Sequence, residues 1–449
     1  MGHWVIAGYG STGRSVARFL AARGEKAIAF DAVAAGTAEE LCPLYAPEPE
    51  NSPRLRRALR GAKGLVRSPG LAMSHPWVQE AAHADVPIIG DVELFAQHVQ
   101  GPVLAVTGTN GKSTTCALLG AMARAAGIEC AVGGNLGPPA LDLLDGEAAE
   151  LYVLEVSSFQ LETTHSLALE AGAVLNIAPD HLDRHASMAE YIALKARLYE
   201  RCRMPVVNLD DAAVRRMVGS HGIGFTCGRP PGPLSYGIDR HQGEPWFFLG
   251  ETPLLPLAVV PLYGLHNRAN VLAALALGAA VGMDQESMYQ AIMGFKGLPH
   301  RMEHVATIGD VQFWNDSKAT NVAAACAAVR GLAAELQQET PGSRSRIVLI
   351  AGGLGKNESF APLAQALSPY VRAVLVLGQA AQQISGAMVD HDIQAVICHS
   401  MAEAVERAAA LARPGDQVIL APACSSYDMF TNYNERGEAF CTCVRALLA

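Results

Sequence analysis

The run Val103-Leu104-Ala105-Val106-Thr107, followed at once by Gly108-Thr109-Asn110-Gly111-Lys112-Ser113-Thr114, constrains this chain more than any other segment. Apolar and β-branched residues without polar alternation describe a strand covered on both faces, the environment of a parallel sheet flanked by helices. A helical pattern resumes after the loop and continues through about Arg124. A strand, a glycine-bearing loop and a helix N-terminus form an anion site, because backbone N–H groups converge and the helix dipole favours negative charge. Lys112 can reach terminal phosphates, and the Ser113 hydroxyl can ligate Mg²⁺. The usual phosphate loop has its first glycine five positions before the last one. Here that position is Val106, still in the strand, so the loop is a shortened form. A bare Gly-x-x-Gly-Lys-Ser also occurs in ordinary strand-to-helix turns; the strand before it and the helix after it favour a nucleotide phosphate.

Strand-like and helical runs alternate from end to end, the pattern of α/β folds with mainly parallel sheets. Three blocks are expected, 1–100, 101–297 and 298–449. The first opens with the strand His3–Ala7 and a helix from about Ser15 to Arg23, and closes at Gln100-Gly101-Pro102. The second has strands at Pro102–Thr107, Tyr152–Val156, Ala173–Ile177 and Met204–Asn208, hairpins in the Gly- and Pro-rich stretch Gly222–Pro261, and an alanine-rich helix after Asn267. The third has strands at Arg346–Ala351, Ala373–Leu377 and Gln417–Ala421. Half of the 449 residues are hydrophobic, enough for several buried cores. The formal charge of −9 argues against a nucleic-acid-binding surface. No apolar run is long enough for a membrane span, and the opening Met1-Gly2-His3-Trp4 suggests neither a secretory leader nor myristoylation. The ten cysteines are scattered singly or, at Cys441 and Cys443, lack metal-ligand spacing. They read as small buried hydrophobes in a reducing cytoplasm.

Two later strand ends suit metal-assisted phosphoryl transfer. Tyr152-Val153-Leu154-Glu155 carries a carboxylate to the end of an apolar strand, where ligands of parallel sheets sit. Glu155 is either a Mg²⁺ ligand facing Lys112 or a solvated acid. Ala178-Pro179-Asp180-His181-Leu182-Asp183-Arg184-His185 is a polar cluster straight after a buried strand, so His181 is either a metal ligand or a solvated loop histidine. In the helix expected over Met188–Arg203, Lys195 falls near the centre of the apolar arc, among Tyr191, Tyr199 and Cys202. It can snorkel past the edge, pair with a buried acid, or stay buried with a depressed pKa. In the last case the neutral amine can add CO₂ and become an anionic, metal-binding carbamate.

Ile6-Ala7-Gly8-Tyr9-Gly10-Ser11-Thr12-Gly13 follows a strand and opens a helix, and Asp31 ends the next strand. Taken alone this satisfies the dinucleotide fingerprint, so an NAD-dependent dehydrogenase is a rival function. Against it, the block reads as a single mononucleotide-type half, and the second block carries its own phosphate machinery. A non-catalytic regulatory relative would be expected to lose Lys112, Glu155 or Lys195, and all three are present.

Together these residues resemble the Mur ligases, the ATP-dependent amide-forming enzymes of peptidoglycan precursor synthesis. The shared runs are Gly108–Thr114, Gly134-Asn135-Leu136-Gly137, Leu154–Glu162, Asp180–Arg184, Gly264-Leu265-His266-Asn267, Leu298-Pro299-His300-Arg301, Asn315–Asn321 and Pro422–Phe430. The resemblance covers nearly the whole chain. It implies an N-terminal Rossmann-like domain for a UDP-sugar, a central P-loop-type ATPase domain, and a C-terminal Rossmann-like domain for an incoming amino acid. It places Gly108, Thr109, Asn110, Gly111, Lys112, Ser113, Thr114, Asn267, Asn270, Arg301 and Asp316 around ATP. Ser113, Glu155, His181 and carbamylated Lys195 are implied as holding Mg²⁺, with two ions expected, and Lys112, His181 and Lys195 as catalytic. Asn135 matches a position near the phosphates and the acyl group of the substrate. Lys318, Thr320, Lys356, Ser426 and Tyr433 match positions around the amino acid.

The Asp-Asn-Pro-Arg run of diaminopimelate-adding members is absent, and the cations and hydroxyls named above suit a dicarboxylate. The expected reaction is addition of D-glutamate to UDP-N-acetylmuramoyl-L-alanine through an acyl phosphate; a Mur-type ligase using another amino acid is the alternative. Large domain closure, a cytoplasmic location and a monomeric state are further expectations. The resemblance is thinnest in the first block. Ala32 and Val33 stand where a polar residue and an arginine near the uracil are common. Ser11, Thr12 and the run Ser68-Pro69-Gly70 remain candidates for the UDP-sugar.

Overall fold

The computed structural model describes the chain apart from Met1, residues 32–40, 46–52, 182–183, 220, 263, 340–345, 356–357 and Ala449, and the side chains at 334, 335 and 337–339. The expectations at Ala32, Val33 and Lys356 lie outside the described residues.

Three sheets form, one in each expected block. The first holds β1 (His3–Ala7), β2 (Ala27–Phe30), β3 (Leu44–Tyr45), β4 (Ala62–Arg67) and β5 (Ile88–Ile89) in the order β3-β2-β1-β4-β5, all parallel. The helix after β1 spans Ser11–Ala22, so it starts before the expected Ser15. Gly8 turns the chain at φ +87, and Gly10 takes the extended N-cap geometry, which leaves Ser11 and Thr12 in the first helical turn.

The second sheet holds β6 (Val103–Thr107), β7 (Cys130–Gly134), β8 (Leu151–Glu155), β9 (Leu169–Val174), β10 (Cys202–Asn208), β11 (Ile223–Phe225), β12 (Ser235–His241), β13 (Glu244–Leu249) and β14 (Thr252–Pro256). Their order is β14-β13-β12-β11-β10-β9-β6-β8-β7. Only β12-β13 and β13-β14 pair antiparallel, which are the hairpins expected from the Gly- and Pro-rich stretch. On one face the helices Lys112–Ala125, Leu265–Ala280 and Gln285–Gly294 pack through Leu118, Met122, Leu272 and Met288. The other face shares a core with the first sheet, where Phe19, Val92 and Phe95 join Leu141, Tyr152 and Leu154.

Two expectations in this block need correction. The strand expected at Ala173–Ile177 runs instead over Leu169–Val174, because pairing with β10 begins at Leu169↔Cys202 and leaves 175–177 as extended loop. The helix expected over Met188–Arg203 ends at Ala196, tightens into a 3₁₀ turn over Arg197–Tyr199, and gives way to β10. Cys202 therefore belongs to a strand, its backbone committed to the sheet.

The third sheet holds β15 (Glu303–Ile308), β16 (Val311–Asn315), β17 (Ile347–Gly352), β18 (Val371–Leu377), β19 (Ala395–Ile397) and β20 (Gln417–Leu420), ordered β15-β16-β20-β17-β18-β19. Its β15-β16 hairpin had not been expected. The turn residues Gly309 and Asp310 both take positive φ, +55 and +63, the geometry of a tight primed turn.

Candidate active site

β8, β6 and β9 are neighbours in the second sheet, and Val106 pairs with Glu155 while Thr107 pairs with Val174. The phosphate loop, Glu155 and the 175–181 loop therefore leave the sheet at the same edge. Gly111 caps the following helix at φ +88, and a Cβ there would lie 2.2 Å from Asn270 Oδ1. Both the backbone angle and the approach of Asn270 require glycine.

The 175–181 loop grips the phosphate loop. Asn110 N donates to Asn176 Oδ1 at 2.8 Å, and Thr109 N donates to Asn176 O at 2.9 Å. Thr109 Oγ1 donates to Ala178 O at 3.1 Å and sits 3.1 Å from the Tyr191 hydroxyl. Lys112 Nζ lies over the loop, donating to the carbonyls of Gly108 and Thr109 at 2.9 and 2.8 Å. Burial lowers its pKa, while Glu155 and Asp180 act to hold the proton on.

Glu155 is buried at the end of β8. Its Oε1 accepts from Asn135 Nδ2 at 2.7 Å, whereas its Oε2 is buried without a hydrogen-bond partner. A carboxylate oxygen left in that state beside a phosphate loop fits a cation. Among the described residues no three His, Cys, Asp or Glu side chains gather into a metal cluster. A divalent ion at Glu155 would therefore complete its shell with a hydroxyl such as Ser113, with water and with phosphate oxygens, as Mg²⁺ commonly does. His181 lines the same cleft at φ +55, edge-on to Phe159 at 5.0 Å and 3.6 Å from Asp180.

Lys195 is 2% exposed, and Nζ donates to Thr107 Oγ1 at 3.2 Å and Gly108 O at 2.9 Å, with the Tyr191 ring 4.8 Å away. It does not snorkel, and it forms no ion pair with a described carboxylate. Burial, reinforced by the Lys112 charge, holds its pKa well below the ordinary lysine value. The amine thus lies buried at the root of the phosphate loop, where its charged form is disfavoured.

The third block closes the other wall. Arg301 Nη2 donates to Ser113 Oγ at 2.6 Å, and Asn321 Nδ2 donates to Asp180 Oδ2 at 3.1 Å. Lys318, Thr320, Ser426 and Tyr433 line the same cleft as Lys112, Ser113, Asn135 and Glu155, with Lys318 Nζ 3.9 Å from the Tyr433 ring centroid. A second recess, beside Asn110 and Gly111, brings together His266, Asn267, Asn270, Arg301, Asp316 and Lys318. Burial pushes Asp316 up to about 7, opposed by Arg301. Arg436, 3% exposed, donates to Ser317 O at 2.8 Å, Ser317 Oγ at 3.0 Å and Cys424 O at 3.1 Å. It thereby fixes the segments bearing Lys318, Ser426 and Tyr433 to one another.

Of the UDP-sugar candidates, Asn135 lines the phosphate cleft. Ser11, Thr12, Ser68 and Gly70 lie instead at the edge of the first sheet where β1 and β4 end, with Ser68 Oγ donating to Gly8 O at 3.4 Å and Asp31 accepting from Tyr9 N. Sequence reasoning assigned no role to Asn176, Asp180, Tyr191, Asn321 or Arg436. Asp180 and Asn321 stood inside runs already singled out; Asn176 and Arg436 carried no local signal.

Three family models match the chain: a MurD-like N-terminal domain of Mur ligases over residues 2–90, the Mur ligase middle domain over 106–278, and the Mur ligase glutamate ligase domain over 300–424. The chain belongs to the Mur ligase family. Full-length relatives narrow the match. UDP-N-acetylmuramoylalanine–D-glutamate ligase of Nitrosococcus oceani is 43% identical, covering 99% of this chain and 97% of its own. The ligases of the same name from Pseudomonas fluorescens and Acinetobacter baylyi are 42% and 40% identical, each covering 99% of this chain and 98% of its own. Solved structures share the fold. UDP-N-acetylmuramate–alanine ligase of Thermotoga maritima aligns with a TM-score of 0.62 at 17% identity over 100% of both chains. A pseudomurein peptide ligase of Methanothermus fervidus gives 0.59 at 16% identity, over 99% of this chain and 100% of its own.

Proposed function

We infer that this chain is an ATP-dependent ligase that adds D-glutamate to UDP-N-acetylmuramoyl-L-alanine in peptidoglycan precursor synthesis. The observation that carries this reading is one cleft lined from one side by Lys112, Ser113, Asn135 and Glu155 and from the other by Lys318, Thr320, Ser426 and Tyr433. It joins a phosphate site to a cationic, hydroxyl-rich pocket suited to a dicarboxylate. The full-length relatives named for this reaction support the same conclusion. We assign residues 1–100 to the UDP-sugar, 101–297 to ATP and 298–449 to the amino acid, which the three separate sheets support.

In the reaction, the acceptor's free carboxylate oxygen bonds to the γ-phosphorus of ATP and ADP leaves, giving an acyl phosphate. The amine of D-glutamate then attacks the acyl carbon, loses a proton, and phosphate departs with the C–O bond electrons. All three reactants are anionic, so Lys112, Arg301 and Lys318 act chiefly by neutralising charge and fixing approach. Asn267, Asn270 and Asp316 suit the nucleoside end of ATP, in the recess beside the loop. Asn135, bonded to Glu155, suits the acyl end of the acceptor.

Ser113, Glu155, His181 and a carbamate of Lys195 would hold Mg²⁺, two ions in our reading, and Mg²⁺ supplies charge stabilisation at the phosphates. The unpartnered Glu155 Oε2 and the buried amine of Lys195, whose pKa burial lowers, support those assignments. Both walls of the cleft come from one chain, which suits a monomer. ATP and a UDP-sugar as substrates suit the cytoplasm.

Phosphate release is measured with ATP, UDP-N-acetylmuramoyl-L-alanine and D-glutamate, each omitted in turn. All three should be required, with no absorbance change from a nicotinamide. Preference for alanine, lysine or diaminopimelate over D-glutamate overturns the substrate assignment.

A further inference from the structure

The boundary between the first and second sheets holds an ionic cluster that the reaction does not use. Arg67, at the end of β4, is 1% exposed and pairs with Glu162 at 2.6 Å. Arg184 approaches the same Glu162 oxygen at 3.2 Å. Two guanidinium groups thus share one carboxylate, in a site with little access to water.

The remaining donors of this cluster reach three different segments. Arg67 donates to Leu71 O and to Phe159 O, each at 2.6 Å. Arg184 Nη2 donates to Leu71 O at 2.8 Å, and its Nη1 lies 3.4 Å from both Pro69 O and Gly70 O. The Arg184 guanidinium also covers the Phe159 ring, 4.7 Å from its centroid. Phe159 in turn meets His181 edge-on at 5.0 Å, and Arg184 N donates to His181 O at 3.0 Å. A single side chain therefore ties the 68–71 loop of the first sheet to the short helix Ser158–Leu161 that follows Glu155, and to the loop that carries His181.

We propose that Arg184 is a positioning residue that holds the 68–71 loop in register with the phosphate cleft, so that the UDP-linked acceptor presents its carboxylate to the γ-phosphate. This rests on the reading that the first block binds the UDP-sugar. The planar fork suits the task, because one guanidinium can face a carboxylate and a row of carbonyls while stacking on an aromatic ring. A lysine could replace the Nη2 contacts but not the Nη1 reach or the stacking. Glu162 and Arg67 complete the device: Glu162 pairs with both guanidinium groups, and Arg67 shares the Leu71 carbonyl with Arg184.

The test compares the full-length wild type with Arg184→Lys and Arg184→Met by steady-state kinetics for each substrate, with thermal melting alongside. Arg184→Met should raise KM for UDP-N-acetylmuramoyl-L-alanine at least tenfold and leave KM for ATP and D-glutamate within about twofold. Arg184→Lys should fall between, near threefold, with a melting temperature close to wild type. An unchanged acceptor KM in Arg184→Met overturns the proposal, and so does an equal rise in all three KM values that tracks melting temperature, which marks general loosening. If Arg184→Met is too unstable to assay, the Lys variant decides: its acceptor-specific rise supports the proposal, and its absence overturns it. A wild type with no turnover on this acceptor overturns the functional reading itself, which separates the two failures.

Discussion

Replacing Lys195 with methionine separates stability from activity. The side chain is buried and of similar volume to methionine, so no large cavity opens. The substitution strips a donor from Thr107 Oγ1, bonded at 3.2 Å, and one of two from Gly108 O, which keeps Lys112 Nζ at 2.9 Å. An unsatisfied buried acceptor costs about 1–3 kcal/mol. Against this, methionine spares the cost of keeping an ionisable amine out of water, which offsets a loss of that order. The two effects nearly cancel, so Lys195→Met should melt within about 5 °C of wild type. Activity should fall at least a hundredfold, about 2.7 kcal/mol of transition-state stabilisation, because the proposed carbamate can no longer form at the root of the phosphate loop. Phosphate release and differential scanning calorimetry give the two numbers. Carbon-13 NMR of wild type under labelled CO₂ should show a carbamate resonance that the variant lacks. A Lys195→Met enzyme within tenfold of wild-type activity, or a wild type without that resonance, refutes the reasoning.

Three further outcomes follow from particular contacts. Burial raises Asp316 to about 7 in the ligand-free chain, above its unfolded value of 3.8, so the folded state holds a proton that the unfolded state releases. Its contribution is fully present below about pH 4 and is lost as pH rises through about 7, at most ~4 kcal/mol; urea unfolding across that range should show the decline, and Asp316→Asn should flatten it. Gly111→Ala places a Cβ 2.2 Å from Asn270 Oδ1 at φ +88, so ATP binding measured by calorimetry should drop at least tenfold even if the fold survives. Arg436→Met removes a donor from each of the carbonyls of Ser317 and Cys424, which should cost on the order of 3 kcal/mol in denaturant unfolding and raise KM for D-glutamate more than KM for ATP.

The parts of the site that were legible in sequence are those written locally. A phosphate loop is a strand, a turn and a helix start in consecutive residues, and Glu155 announces itself as a charge at the end of an apolar strand. Lys195 was legible because helical periodicity places a cation on the wrong face, and that survived even though the helix is shorter than expected. What stayed hidden are pairs that meet only through topology. Asp180 and Asn321 are 141 residues apart, Ser317 and Arg436 119, and Leu71 and Arg184 113. No window of the sequence contains both partners, and each polar side chain alone reads as a solvated group, while the Leu71 carbonyl leaves no mark in the sequence. The β15-β16 hairpin is a different case, since Gly309-Asp310 between alternating residues was a readable signal.

The same contacts indicate which parts of the molecule can move. The first and second sheets share an apolar core and are further joined by Arg67, Glu162 and Arg184. Apolar clusters of the third sheet stay on their own side, and the second and third blocks meet at the cleft through Arg301–Ser113 and Asn321–Asp180. Where helix Val322–Glu339 meets the start of Leu265–Ala280, Gly331 lies close against Gly264, with the His266 ring beside both. Hydrogen bonds of this kind exchange readily with water or a ligand, whereas a shared core does not. On the proposed assignment, ATP phosphates would compete for Arg301 and Ser113, so nucleotide binding would act on the junction between the second and third blocks. The proposed acceptor site on the first block would then stay fixed relative to the phosphate loop, held by the shared core and the Arg67–Glu162–Arg184 cluster. On that proposal only the third block's wall would travel, carrying Lys318 and Tyr433 toward the acyl group.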